Sequence, residues 1–78
     1  MTFMCEVFHS FPVASEKERA FYGIVQQFGG KLQFREESRN LNTVVLTYEF
    51  ETLPEAESAA EMIRALGEHV EGPMDYGD

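Results

Sequence analysis

The longest regular alternation of apolar and polar positions in the chain is Leu41–Phe50, LNTVVLTYEF. Its two sets of alternate positions are Val44, Leu46, Tyr48 and Phe50 on one side, and Thr43, Val45, Thr47 and Glu49 on the other. A period of two with β-branched and aromatic residues is typical of a strand with one buried side. Because such a strand is not stable alone, we expect the other apolar segments to pair with it and to cover it.

Two further segments at the ends of the chain also predict strands. Thr2–Phe11 alternates, with its odd-numbered apolar residues expected to face the core. Met4 and Phe8 then lie on the side that a half-buried strand exposes, although both are large and apolar. His69–Gly72 is predicted to be a short fourth strand.

The segment Lys31–Glu36 predicts a strand next to Leu41–Phe50 in a hairpin. Strict alternation along it directs Leu32 and Phe34 toward the core. The same alternation directs Gln33 and Arg35 to the opposite side of the sheet.

Two segments show the period of an amphipathic helix. Ser15–Glu18, SEKE, and Thr52–Glu55, TLPE, have the spacing of capping boxes at the start of a helix. The apolar stripes that follow are Phe21, Ile24, Val25 and Phe28 in the first helix, and Ala56, Ala59, Ala60, Ile63 and Leu66 in the second. Gly29-Gly30 and Gly67 are expected to end the two helices.

The element order is therefore β-α-β-β-α-β, which predicts an α+β fold of the ferredoxin-like, split βαβ type. Right-handed crossovers place both helices on one face of an antiparallel sheet with strand order 4-1-3-2. We expect one domain over residues 1–72 and an acidic C-terminal tail over residues 73–78 that frays.

The charge of the chain excludes several classes of partner. With 14 acidic and 6 basic side chains the net charge is −8, which disfavours direct binding to nucleic acid or to an anionic membrane. No apolar run approaches the roughly 18 residues of a transmembrane helix. The N-terminus, MTFMCEVFHSF, has no basic leader, and a lone cysteine gives no disulfide framework, so we expect a cytoplasmic protein.

With both helices on one face, the other face of the sheet is bare, and its apolar centre is the main candidate site. The residues expected there are Met4, Phe8, Val45 and Thr47, with Gln33 and Arg35 at the rim. An apolar patch rimmed by polar groups marks an interaction surface. A second copy of the chain is the simplest partner, because a two-fold contact pairs the patch with itself, and another protein is the alternative.

Leu41–Phe50 followed by a helix rich in Glu and Ala is superficially similar to the second half of an RNA-recognition domain. That family presents a basic residue, a glycine and outward aromatic residues on its third strand. The outward positions here are Thr43, Val45 and Thr47, and the aromatic Tyr48 and Phe50 point inward. RNA binding of that kind is therefore not expected.

No pattern for catalysis or for a cofactor is found in the sequence. Cys5 lies at an inward position without a basic neighbour, so we expect a raised pKa and an inert thiol. His9 and His69 are candidates for a metal site, because their strands are expected to meet at the same end of the sheet. They are weak candidates, because the alternation places the two side chains on opposite sides of the sheet.

The exposed side of the second helix carries a strongly negative set of residues, Glu57, Glu61 and Glu68. This set is either a solvated surface or a docking face for a basic protein, in the manner of a nucleic-acid mimic. The sequence thus favours a non-catalytic interaction or regulatory domain. The alternatives are that acidic mimic, and a small-molecule sensor or enzyme with a pocket at the sheet or dimer interface.

Overall fold

A computed structural model describes residues 2–12 and 14–75, which form four strands and two helices. The elements are β1 Phe3–Ser10, α1 Ser15–Gln27, β2 Lys31–Ser38, β3 Thr43–Phe50, α2 Leu53–Ala65 and β4 His69–Asp75. The strands form one antiparallel sheet in the order β2-β3-β1-β4. This confirms the predicted ferredoxin-like arrangement and its strand order.

The two central strands determine which side chains are covered. In the pairing of β1 with β3, Val7 lies opposite Leu46 and Phe8 lies opposite Val45, so alternate rows face opposite sides. The row that contains Val7 and Leu46 packs against both helices. The buried core residues are Cys5, Val7, Phe21, Val25, Val44, Leu46, Tyr48, Phe50, Ala56, Ala59, Ala60, Ile63 and Val70.

The two predicted capping boxes have different outcomes. Thr52 is the N-cap of α2, and its Oγ1 accepts a hydrogen bond from the backbone N–H of Glu55 at 3.3 Å, as expected. In α1 the N-cap is Ala14, no side chain caps the helix, and Ser15 is already helical, so the first box is wrong. The Glu18 carboxylate instead accepts a hydrogen bond from Arg35 on β2, at 2.6 Å.

The helical stripes are confirmed except at one end. Phe21 and Val25 of α1 are buried, and the three predicted alanines and Ile63 of α2 are buried with them. Leu66 was expected in the second stripe, but α2 ends at Ala65, and Leu66 is 54% exposed. The turn that follows α2 directs the Leu66 side chain away from the core.

Gly30 links α1 to β2 where no side chain fits. A Cβ atom at this position would lie 2.4 Å from a ring carbon of Phe50 and 2.8 Å from a methyl carbon of Val25. The glycine therefore allows the end of α1 to approach the end of β3 closely.

The strand β4 is longer than predicted. It continues beyond Gly72 through Pro73–Asp75, so the described part of the predicted tail belongs to the sheet, with Met74 opposite Met4. The register of β4 against β1 is irregular at Gly72-Pro73. Gly72 has φ +102°, and a Cβ there would lie 2.8 Å from the carbonyl oxygen of Met4. Residues 76–78 of the predicted tail lie outside the described residues.

Neither α1 nor α2 is long and apolar enough to cross a lipid bilayer, and the described residues contain no other candidate span.

Candidate interaction surface

We call the side of the sheet that faces away from the helices the open face. The strand registers assign to it Lys31, Phe34 and Glu36 of β2, Thr43, Val45, Thr47 and Glu49 of β3, Met4, Glu6 and Phe8 of β1, and His69, Glu71 and Met74 of β4. It contains four of the residues predicted for the interface: Met4, Phe8, Val45 and Thr47. Whether they bind a partner stays a prediction.

The centre of the open face is apolar and partly covered by its own neighbours. Met4, Phe8 and Val45 are half-buried, and Thr47 is buried beside them. Phe34 lies opposite Thr47 and is 60% exposed. Removing this much aromatic surface from water would be favourable, because burial of apolar area is the main driving force of association.

Phe34 is on the open face because the register of β2 shifts between Leu32 and Phe34. Leu32 is opposite Tyr48, on the helix side, and Phe34 is opposite Thr47, on the open face. A β-bulge of this kind adds one residue, here Gln33, and reverses the alternation after it. The predicted inward position of Phe34 is therefore wrong.

The same bulge corrects the prediction for Arg35. Arg35 lies opposite Leu46, on the helix side, and not at the rim of the open face. Its guanidinium group pairs with Glu18 of α1 and with Glu37 of its own strand. These two carboxylates raise the pKa of Arg35 through hydrogen bonds, so the side chain ties the edge strand β2 to α1. Gln33 is exposed at the bulge itself.

Among the residues that the structure describes, some charged groups of the open face form ion pairs and others do not. Lys31 Nζ lies 3.5 Å from Glu49 Oε1, and His69 Nε2 lies 2.9 Å from Glu71 Oε2. Glu6 lies in the middle of the face, directly opposite Glu71 on β4. Like charges in directly opposite positions are destabilising, so Glu6 favours a partner group that is neutral or basic.

A cleft of about 380 Å³ opens beside Phe34, and the rest of its lining is Met4, Glu6, Arg35, Glu36 and Thr47. The guanidinium group of Arg35 is already paired with two carboxylates. The cleft combines one exposed ring, one thioether and two carboxylates. Such a lining suits protein side chains better than a phosphate or another anion, because the carboxylates repel negative charge.

The two histidines lie at the same end of the sheet but on opposite faces. His9 Nδ1 is 2.8 Å from Glu68 Oε1, on the helix side, and its ring packs edge-on against Phe21. The ring of His69 lies 5.4 Å from that of Phe8, on the open face. Within residues 2–12 and 14–75, no three His, Cys, Asp or Glu side chains converge on a point where a metal ion could be held.

The predicted acidic face of α2 loses one of its three residues. Glu57 and Glu61 are exposed, as expected. The Glu68 side chain is only 7% exposed, and it contacts Lys17 Nζ at 3.2 Å as well as His9. Glu68 is missed because it follows the helix in a turn, where helical periodicity no longer gives its direction. It acts as a structural link between α1, β1 and β4.

Cys5 is buried against α2, and its Sγ lies 3.5 Å from the carbonyl oxygen of Ala56. Burial raises the pKa of the Cys5 thiol to about 11, although the positive charge of Arg64 opposes the shift. The raised pKa agrees with the sequence-based expectation and leaves little thiolate near neutral pH.

A shallow groove separates α1 from the edge strand β2 on the helix side. Its apolar lining comes from Tyr22, Leu32, Leu46 and Tyr48. Burial raises the pKa of Tyr48, and the nearby Glu18 carboxylate raises it further. The phenol therefore stays neutral at physiological pH.

No model of a known protein family matches this chain, and none of the curated proteins compared with it matches either.

Proposed function

We propose that this chain is a small, non-catalytic interaction domain that associates through the open face, and that its partner is a second copy of the chain. The observation that carries the proposal is Phe34, a large aromatic side chain that is 60% exposed and lines a cleft with Met4. Phe8 and Val45 line a second cleft on the same face. A contiguous apolar patch of this kind on a small domain is typical of a binding surface.

The two-fold symmetry of a homodimer supports self-association, because it requires only one kind of surface. An isologous dimer pairs the same patch on both copies, so one apolar centre is sufficient to build the whole contact. Nucleic acid and anionic membranes are poor partners for the face, because its unpaired charges are carboxylates in a chain of net charge −8. A single buried cysteine fits a reducing compartment such as the cytoplasm, where we place the domain.

The test is the mass of the protein as a function of concentration, measured by sedimentation equilibrium or light scattering. We expect the wild-type chain to dimerise and Phe34→Glu to weaken the dissociation constant at least about a hundredfold, since two rings per dimer are replaced by charges. The variant should still fold, because Phe34 contributes little to the monomer core.

Leu66→Glu is the matched control. It makes the same kind of change at a side chain that is 54% exposed near the end of α2, on the helix side. It should leave the dissociation constant unchanged. A wild-type protein that is monomeric at all accessible concentrations, or a dimer that is insensitive to Phe34→Glu, would contradict the proposal.

A further inference from the structure

The open face differs in charge from one edge to the other. The registers place Glu36, Val45, Phe8 and His69 in one row across the four strands. This row therefore begins with a carboxylate on β2, continues through two apolar side chains and ends with an imidazole on β4. An acidic and a basic group at the two ends of one row are complementary to the same row read backwards.

Two more rows cross all four strands. The middle row is Phe34, Thr47, Glu6 and Glu71, and the third row is Lys31, Glu49, Met4 and Met74. Full overlap of two open faces places a two-fold axis between the sheets, through the centre of this set of rows. The axis is then either parallel or perpendicular to the strands, since packed sheets keep their strands roughly aligned.

An axis parallel to the strands exchanges the edges and keeps each row against itself. Glu36 then lies over the partner's His69, and Val45 lies over the partner's Phe8. In the middle row, Thr47 lies over the partner's Glu6 and its hydroxyl can donate to that carboxylate. Phe34 lies over the partner's Glu71, and no two carboxylates face each other directly in this arrangement.

An axis perpendicular to the strands keeps each strand over its own copy and reverses the order of the rows. Glu6 then lies over the partner's Glu6, and Glu71 lies over the partner's Glu71. Facing carboxylates in a contact that excludes water repel strongly. In exchange, Phe34 lies over the partner's Phe34, and Glu36 lies over the partner's Lys31. These contacts supply no counter-charge to the two pairs of facing carboxylates.

We propose that the dimer has its two-fold axis parallel to the strands, so that Glu36 on β2 of each copy meets His69 on β4 of the other. This inference rests on the proposed function, because it specifies the geometry of the same contact. Within one chain the groups that face His69 are the Glu71 carboxylate and the Phe8 ring. Glu36 of the second copy adds an acceptor on the side of the imidazole that faces away from the sheet.

A charge-exchange cycle tests the pairing, with the dissociation constants of all variants measured by sedimentation at one fixed pH. His69→Glu places a carboxylate against the partner's Glu36 at two symmetric positions. We expect the dissociation constant to rise at least about tenfold. Adding Glu36→Lys should bring it back to within about threefold of wild type, because the pair is restored with its charges exchanged.

Lys31→Glu, alone and with Glu36→Lys, is the matched cycle for the perpendicular axis. Under our proposal Glu36→Lys gives no recovery in the Lys31→Glu background. The side chains of His69 and Lys31 are both well exposed, so these variants should fold, which circular dichroism will verify.

The results separate the two proposals. Coupling of Glu36 to Lys31, or coupling to neither residue, in a dimer that Phe34→Glu still disrupts would overturn the parallel axis and leave the association surface intact. A wild-type chain that never dimerises would overturn both.

Discussion

The two faces of the sheet are made by alternate residues of the same strands, yet they differ in burial and in charge. On the helix-covered face, Val7, Val44 and Leu46 have essentially no contact with water. On the open face, one residue further along, Phe8 and Val45 are half-buried and acidic groups lie among them. The helices make the first face a core, whereas the second face retains apolar area that none of the residues in 2–12 and 14–75 covers.

This difference shows that pattern alone does not make a residue part of a core. Val44 and Val45 are identical in chemistry and adjacent in sequence, and the covering helices alone distinguish them. The helix-covered face should therefore determine folding stability, and the open face should determine association. Four measurements test this division, in addition to the two proposed above.

The largest contrast is expected in the reactivity of Cys5, which reports on the helix-covered face. With a pKa of about 11, against 9.0 for an unperturbed thiol, its thiolate fraction at pH 8 is lower by about a hundredfold. Reaction with an aromatic disulfide reagent should be at least a hundredfold slower in the folded than in the denatured protein. A Leu41→Cys thiol, at an exposed turn position, is the control and should react fast in the folded state.

The Cys5 thiol also predicts that the protein loses stability at alkaline pH. Because the folded state raises the pKa of Cys5, folding favours the protonated form. This contribution to the free energy of unfolding is complete below pH 9.0 and is lost as the pH rises toward about 11. A Cys5→Ala variant should lack this part of the alkaline loss in chemical denaturation. Equal losses in the two proteins would contradict the assignment.

The next contrast compares truncation on the two faces. Val44→Ala removes two fully buried methyl groups and should lower the free energy of unfolding by about 2 kcal/mol. Val45→Ala removes the same atoms from the open face and should cost less than about 1 kcal/mol in the monomer. Urea denaturation of dilute protein measures both. Equal losses would mean that the open face belongs to the monomer core.

The smallest effect is expected at Arg35, where the helix-covered face reaches the sheet edge. Arg35→Gln removes the ion pair that joins β2 to Glu18 and should cost less than about 1 kcal/mol, because exposed pairs are weak. The cost should shrink at high salt. Arg19→Gln, which removes an equal charge from α1 without breaking any ion pair of the described residues, should show no such salt dependence.

The fold was predictable because each local signal agreed with the others. The alternation of Leu41–Phe50, the stripe that contains Phe21 and Val25, and the Thr52 cap all describe sequence-local geometry. Once the element order was known, chain connectivity limited the sheet to very few topologies. Element bounds were less exact, since β4 runs to Asp75 and β3 starts at Thr43.

The candidate surface was only partly predictable because it depends on one extra residue. The alternation of Leu32, Gln33, Phe34 and Arg35 is regular in sequence, and nothing in it indicates the bulge that reverses their faces. Strict alternation would have placed Arg35 on the open face, where it could not pair with the Glu18 carboxylate. The loss of that ion pair was the only indication against a regular strand. An ion pair between β2 and α1 can be predicted only when the position of α1 on the sheet is known.

The irregular passage through Gly72-Pro73 also has a consequence for how the molecule behaves at high concentration. Proline has no amide hydrogen to offer an incoming strand, and the distorted register turns the neighbouring groups out of line. The β4 edge is therefore a poor template for endless edge-to-edge growth. This feature should protect the protein from fibril formation while it leaves the broad side of the sheet open to a contact that closes on itself.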